Sequence, residues 1–295
     1  MRADPLSRQG DAFRVLAPAK VNLTLHVTSR RANGYHDLDS LVVFAGIGDT
    51  VTVRAASELS LSVIGPFAAG VPTDSNNLIL KAADALRRHH GIELGAALVL
   101  DKSLPHAAGI GSGSSDAAAT LGLLSSLWHV PNVEVTDPLP MSLGADVPVC
   151  MAQPRAMRMQ GVGERLSYAP ALPDCAMVLV NPKVEVPTGA VFAAITETKN
   201  RAMAEIPRDM DFEGFVSWLG QQRNDLTEAA LGIAPEIGRA LERLRRQPLV
   251  RYVTMSGSGA TCVGLVKDMD HARRVARAIQ VAEMSWWVVP TPLLT

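Results

Sequence analysis

The run Pro105-His106-Ala107-Ala108-Gly109-Ile110-Gly111-Ser112-Gly113-Ser114-Ser115-Asp116 leads straight into Ala-rich sequence with an apolar stripe at Ala117, Leu121, Leu124 and Trp128. The stripe has helical spacing, so the run is the entry to a helix and not a free linker. Small residues let a backbone come close to a ligand, and the first unpaired N–H groups and positive dipole end of a helix favour an anion. The run therefore reads as a phosphate cradle. It fits neither of the two common glycine motifs. A dinucleotide fingerprint needs Gly or Ala at position 114, which is Ser114, and a strand ending at the turn, whereas Leu98 to Leu100 end well before Gly109. A Walker loop needs a lysine after its last glycine, and none occurs between Lys102 and Lys183.

A length of 295 residues favours two domains over one core. With 47% hydrophobic and 19% charged residues the chain is globular, and a net charge of −1 gives no global attraction to nucleic acid or anionic lipid. Any polyanion must be bound locally. Cys150, Cys175 and Cys262 are odd in number and lack a C-x-x-C pair or a Cys/His cluster, which argues against a disulfide framework and a structural zinc site and fits a reducing compartment. The opening MRADPLSRQGDA has no apolar run for a signal peptide, and no segment approaches the roughly 18 apolar residues of a membrane span. The expectation is a soluble, cytoplasmic protein.

Val21, Leu23, Leu25 and Val27 alternate with Asn22, Thr24 and His26, the pattern of a strand with one buried face. On such a strand Lys20 and Asn22 share a face, about 7 Å apart. Asn33-Gly34 marks a turn, and further strands are expected at 41–44, 50–54 and 59–64. A helix over 76–90 is expected, capped by Asp74 or Ser75 and stopped by Gly91. A strand at 96–100 feeds the glycine run, and a helix over 115–129 follows. Beyond a Pro-broken connection, 131–140, a hairpin is expected around Gly161-Val162-Gly163, and Pro170, Pro173 and Asp174 suggest a domain seam. The spacing then predicts a strand at 177–180, helices at 212–221 and 225–245, strands at 252–255 and 261–266, a helix at 271–280 and a last strand at 286–289.

Three segments, taken in order, resemble a known family: Ala17-Pro18-Ala19-Lys20-Val21-Asn22-Leu23, the run from Pro105 to Ser115, and Ser256-Gly257-Ser258-Gly259-Ala260. Together they resemble the galactokinase, homoserine kinase, mevalonate kinase and phosphomevalonate kinase (GHMP) superfamily. Arg30-Arg31-Ala32-Asn33-Gly34-Tyr35-His36-Asp37-Leu38 and Leu143-Gly144-Ala145-Asp146-Val147-Pro148 are similar to the branch acting on diphosphocytidyl-methylerythritol, an isoprenoid precursor outside the mevalonate route. The resemblance implies an α+β fold of two domains, an N-terminal ribosomal-protein-S5-like nucleotide domain (1–170) and a C-terminal ferredoxin-like domain (171–295). It implies ATP and Mg²⁺, phosphorylation of the 2-hydroxyl of that substrate, no nucleic-acid or membrane partner, and a monomer or weak homodimer. Lys20 and Asp146 would be the catalytic pair, and Pro105, His106, Ala107, Ala108, Gly109, Ile110, Gly111, Ser112, Gly113, Ser114 and Ser115 would hold the ATP phosphates, with Lys102 along the nucleotide pocket. Asn22 would stand beside the catalytic pair, and Tyr35, His36 and Phe192 would hold the cytosine.

The chemistry is consistent with those residue types. Phosphoryl transfer asks a protein to align a hydroxyl with the γ-phosphate and to neutralise charge. A carboxylate such as Asp146 can orient the alcohol and take its proton late, and a lysine beside it keeps it ionised and stabilises the developing charge. Plainer roles stay open: Asp146 before Val-Pro can cap a turn, Lys20 can sit at a strand edge, and Ser256 to Gly259 can simply connect strands. A homoserine- or mevalonate-type kinase and a non-catalytic nucleotide binder remain the alternatives. The chain departs from the family loop at Ala107 and Ser112, where glycine is usual, so both are expected in conformations that tolerate a Cβ. Pro131, Pro138 and Pro140 should shorten or distort the helix before Asp146. The hydroxyl of Ser114 or Ser115 is the candidate Mg²⁺ contact, and no carboxylate ligand is identified.

Overall fold

The computed structural model describes residues 7–9 and 11–295, with side chains from residue 11 onward; residues 1–6 and 10 of the opening segment lie outside the described residues. The strands are β1 (Ser7–Gln9), β2 (Ala12–Asn22), β3 (His26–Arg30), β4 (His36–Ala56), β5 (Leu59–Ile64), β6 (Gly95–Asp101), β7 (Met157–Gly161), β8 (Arg165–Tyr168), β9 (Ala176–Asn181), β10 (Tyr252–Met255), β11 (Cys262–Val266) and β12 (Trp287–Leu294). The helices are α1 (Leu78–His90), α2 (Ser112–Trp128), α3 (Pro138–Leu143), α4 (Val147–Met151), α5 (Thr188–Ala193), α6 (Phe212–Leu219), α7 (Thr227–Ile233), α8 (Glu236–Arg245) and α9 (Met269–Ala282). The described residues fall into two compact units: 7–9, 11–19, 47–106 and 111–152, and 20–46, 107–110 and 153–295. These units interleave along the chain and do not follow a single cut at 170/171.

In the first unit the C-terminal half of β4 pairs antiparallel with β6, and β6 pairs parallel with β5. Alternate residues Val51, Val53, Leu98 and Leu100 are buried, as a half-covered sheet requires. Helix α1 presents Ile79, Ala82, Ala83 and Leu86 to this core and packs on α2. Its cap is Asn77, whose side chain accepts from Ile79 N–H, and not Asp74 or Ser75, which lie too early in the chain to reach that donor. Helix α2 begins at Ser112, three residues before the expected start, because the serines and Gly113 already form its first turn. The proline-broken stretch leaves only the six-residue α3 before Asp146, as expected.

In the second unit β9, β10, β11 and β12 form an antiparallel sheet in the order β12-β9-β11-β10. Helices α5 to α8 connect its first two strands and α9 its last two. Numbered by appearance, the strand order is 4-1-3-2 in a β-α-β-β-α-β chain, the ferredoxin-like arrangement. Its core joins Val178, Val180, Leu241, Leu244, Val275 and Ile279. Strand β9 is buried along its whole length, which accounts for its unbroken apolar sequence.

Several local expectations are corrected. The strand expected through 21–27 is two strands, because Leu25 leaves the ladder: its N–H donates to Arg223 O and its O accepts from Asp225 N–H. Thr24 and His26 are buried, not solvent-facing; Thr24 Oγ1 accepts from Leu41 N–H, and His26 Nδ1 meets Arg201 O at 3.2 Å. The strands expected at 41–44 and 50–54 are one strand, β4. The helix expected over 225–245 is α7 and α8, parted at Ala234-Pro235, where proline opens a new helix. Helix α5 was not foreseen. All three cysteines are buried and free, and burial pushes the Cys175 thiol up to about 12 and the Cys262 thiol higher still. Among the described residues no helix is long and apolar enough to cross a membrane.

Candidate active site

The glycine run adopts the backbone that an anion cradle requires. Ala107, Gly109 and Gly111 have φ of 51°, 71° and 58°. Left-handed residues alternating with right-handed or extended ones turn successive N–H groups toward one concave side. Helix α2 then starts from Gly111 with no side-chain cap, as α3, α4, α5, α7 and α8 also do from their own N-cap residues, whereas Asn77, Asp211 and Asp268 cap α1, α6 and α9. The first N–H groups of α2 are thus left to an anion and the helix dipole.

Ser112 takes a helical backbone suited to a Cβ, as expected, but Ala107 does not. Its left-handed φ costs an L-residue about 1–2 kcal/mol, which glycine avoids. Ala107→Gly is therefore expected to raise stability by about 0.5–1 kcal/mol, net of the entropy glycine adds to the unfolded chain. Urea unfolding of the two proteins measures this difference.

Within the second unit the segment 107–110 is clamped carbonyl by carbonyl. Thr261 N–H donates to Ala108 O (3.1 Å), Ser256 Oγ donates to Gly109 O (2.8 Å), and Lys20 N–H donates to Ile110 O (2.9 Å). Ser256 Oγ also accepts from Asn22 N–H at 3.0 Å, so one hydroxyl joins the opening motif to the glycine run. Asn224 Nδ2 holds the same turn through Met255 O and Gly257 O. The third motif is thus more than a strand connection. Ser256 belongs to the motif the sequence already marks, while Asn224, which holds the turn, carries no distinguishing signal in the sequence.

Lys20, 3% exposed, lies within the buried stretch 17–22 that closes β2, and Asn22 is the last residue of that strand. Asn22 Nδ2 donates to Ser40 Oγ at 2.7 Å, and Asn22 Oδ1 is buried without a protein hydrogen-bond partner. That leaves an oriented acceptor for a ligand hydroxyl or amine. Asp146 occupies the N-cap position of α4 with φ −88° and ψ −10°, yet its side chain makes no capping bond to the helix. That backbone region is sparsely populated and common among active-site residues. Lys20 belongs to the second unit and Asp146 to the first.

Lys102, placed by the resemblance along the nucleotide pocket, is held in a buried ion-pair cluster. It is 3% exposed and donates to Asp49 Oδ2 and, at 2.9 Å, to Asp116 Oδ2. Burial together with the Asp49 carboxylate pushes Asp116 up to about 7, against the pull of the Lys102 ammonium. Neither carboxylate had been singled out as a functional residue, although Asp116 closes the glycine run.

The aromatic candidates meet in part. His36 and Phe192 are stacked in the second unit, with ring centroids 5.3 Å apart and planes at 24°. Phe192 is positioned by α5, whose Thr188 hydroxyl meets Ser258 Oγ at 2.9 Å. Burial and the Arg30 cation hold the His36 imidazole below its ordinary pKa, so at neutral pH one ring nitrogen donates and the other accepts. Tyr35 is 62% exposed, with its N–H on Asn33 Oδ1.

Among the described residues no group of three or more His, Cys, Asp or Glu side chains could hold a metal ion. Ser115 Oγ is buried without a protein hydrogen-bond partner, and Ser114 is half-buried beside it. Both hydroxyls are oxygen donors of the kind a hard cation such as Mg²⁺ accepts.

Comparison with known proteins agrees with the geometry. The GHMP kinases N-terminal domain profile matches residues 77–153 and the GHMP kinases C-terminal profile residues 202–283, on either side of residue 170. The chain is 50% identical over 283 residues to the 4-diphosphocytidyl-2-C-methyl-D-erythritol kinase of Jannaschia sp. (strain CCS1), covering 96% of this chain and 98% of that one. The protein of the same name from Paramagnetospirillum magneticum is 48% identical, covering 96% and 99%. A crystal structure of 4-(cytidine 5'-diphospho)-2C-methyl-D-erythritol kinase superposes with a TM-score of 0.74 at 34% identity, over 96% of this chain and 99% of that one. On these grounds the chain belongs to the 4-diphosphocytidyl-2-C-methyl-D-erythritol kinase family, within the GHMP kinases.

Proposed function

We propose that this chain transfers the γ-phosphoryl group of ATP to the 2-hydroxyl of 4-diphosphocytidyl-2-C-methyl-D-erythritol, with Lys20 and Asp146 acting at that hydroxyl. The observation that carries the reading is the likeness of nearly the whole chain to kinases of that name. The cradle of alternating left-handed residues and the uncapped start of α2 support triphosphate binding by residues 105–115. The His36–Phe192 stack, with exposed Tyr35 next in sequence, supports recognition of a flat base.

In this reading Asp146 orients the acceptor hydroxyl and takes its proton as the P–O bond forms. Lys20 keeps that carboxylate ionised and offsets charge on the transferring group. Asn22 Oδ1 supplies a fixed acceptor beside them. Mg²⁺ neutralises phosphate charge when bound with ATP, and the hydroxyls of Ser114 and Ser115 are the oxygens of this chain that would reach it. We further take the protein to be cytoplasmic, a monomer or weak homodimer, working without nucleic acid or membrane.

The test is ADP formation from ATP and Mg²⁺ with and without the diphosphocytidyl substrate. Substrate-dependent ADP, inhibited competitively by CMP, is expected. Nucleotide binding without such ADP would favour a non-catalytic binder, and turnover insensitive to CMP would favour a homoserine- or mevalonate-type kinase. Phe192→Ala is expected to weaken substrate binding by about 1–3 kcal/mol, the usual worth of base stacking, with ATP affinity unchanged. An unaltered KM for substrate in that variant would remove Phe192 from the pocket.

A further inference from the structure

Lys102 and Asp116 stand at the two feet of the glycine run, and everything between them is loop or the first turn of α2. Lys102 Nζ donates to Asp116 Oδ2 at 2.9 Å and also to Asp49 Oδ2, and the three side chains are 3%, 4% and 0% exposed. Asp49 is fixed in β4, and its Oδ1 accepts the N–H groups of Ser103 (2.7 Å) and Leu104 (2.8 Å). One carboxylate thus grips the strand exit before the loop, and one ammonium ties that exit to the helix after it. All of these residues lie in the first unit.

We propose that Lys102, Asp49 and Asp116 are positioning residues that set the span of the phosphate loop and compensate the acidic charge at the start of α2. The proposal rests on the ATP-binding role given to residues 105–115 above. Two physical effects carry it. A loop whose ends are already joined has lost the closure entropy that ordering around a triphosphate would otherwise cost. An uncompensated carboxylate in the opening turns of α2 would also oppose the dipole end that receives the phosphates. Lys102 cancels that opposition without touching the ligand. Removing Asp116 leaves Lys102 paired with Asp49 but unties the start of α2 from the strand exit, whereas removing Lys102 leaves two buried carboxylates without their shared cation.

The experiment compares the full chain with Asp116→Ala and Asp116→Asn, reading ATP affinity by equilibrium titration, kcat and substrate KM, and hydrogen exchange of the 107–115 amides without ligand. Asp116→Ala is expected to raise the ATP dissociation constant at least tenfold and to speed exchange in 107–115 at least tenfold. In the same variant, substrate KM and kcat at saturating ATP are expected to stay within about threefold of wild type. Asp116→Asn keeps an acceptor for Lys102 and is expected to recover most of both losses. Unchanged ATP affinity and exchange in a folded Asp116→Ala protein would overturn the proposal, as would equal losses for ATP and substrate. Should Asp116→Ala fail to fold, Asp116→Ser is judged by the same outcomes. A wild-type chain that binds no ATP would overturn the functional reading instead, and the exchange measurement would still decide whether the staple exists.

Discussion

Replacing Asp146 by Asn is expected to lower turnover by about 10²-fold or more while leaving the ATP dissociation constant within about twofold. The size is that of a lost general base, and the split follows from the residue's setting. Asp146 sits at the N-cap of α4 without capping it, so the carboxylate does not serve to hold the helix. Asparagine has the same shape and can still orient a hydroxyl, but it cannot accept the proton as the new P–O bond forms. The proposed phosphate cradle is formed by backbone conformations at 107–111 and the first turn of α2, which asparagine at position 146 leaves in place. Single-turnover kinetics with saturating ATP would check the loss in the chemical step. A large rise in nucleotide dissociation constant with turnover intact would remove the residue from that role.

What the sequence made legible was whatever depends on local periodicity or local chemistry. Helix α1 and strands β5, β6, β9 and β10 could be read because their apolar spacing matches their single buried face or their full burial. The β2–β3 break could not, since it is made by the distant segment 223–225, which takes over the hydrogen bonds of Leu25. Nor could the burial of Thr24 and His26, polar residues whose partners, Leu41 N–H and Arg201 O, come from elsewhere in the chain.

The site divides in the same way. Glycine and serine runs announce themselves, so residues 105–115 and 256–260 stood out, and Lys20, Asn22, Asp146, Tyr35, His36 and Phe192 followed from motif resemblance. The supports of the site were silent because each is an ordinary residue whose meaning lies in a long-range contact. Asp49 and Lys102 are 53 residues apart in sequence and touch only in the fold. Ala107 carried a misleading signal. A Cβ at that position suggested an unstrained backbone, whereas neighbouring clamps at Ala108, Gly109 and Ile110 hold it left-handed.

The other large effect is expected from Gly109→Ala, which should raise the ATP dissociation constant by about 10²-fold and lower stability by about 2–4 kcal/mol. Two independent obstacles meet at this position. Its φ of 71° disfavours any L side chain, and a Cβ there would lie 2.4 Å from Ser256 O and 2.6 Å from Gly259 O. Both neighbours are backbone atoms, so no rotamer change can make room. Relief would require the loop to withdraw from the turn, breaking the Ser256 hydroxyl bond to Gly109 O and with it the bridge to Asn22. Loss of that clamp releases the cradle itself, which is why affinity should fall along with stability. Gly122→Ala in the middle of α2 is the matched control: a Cβ there meets nothing within 4 Å, and alanine should stabilise the helix by about 0.5–1 kcal/mol. Urea unfolding with ATP titration separates the two variants. A Gly109→Ala protein as stable and as tight for ATP as wild type would mean that the 256–259 turn does not hold the loop in solution.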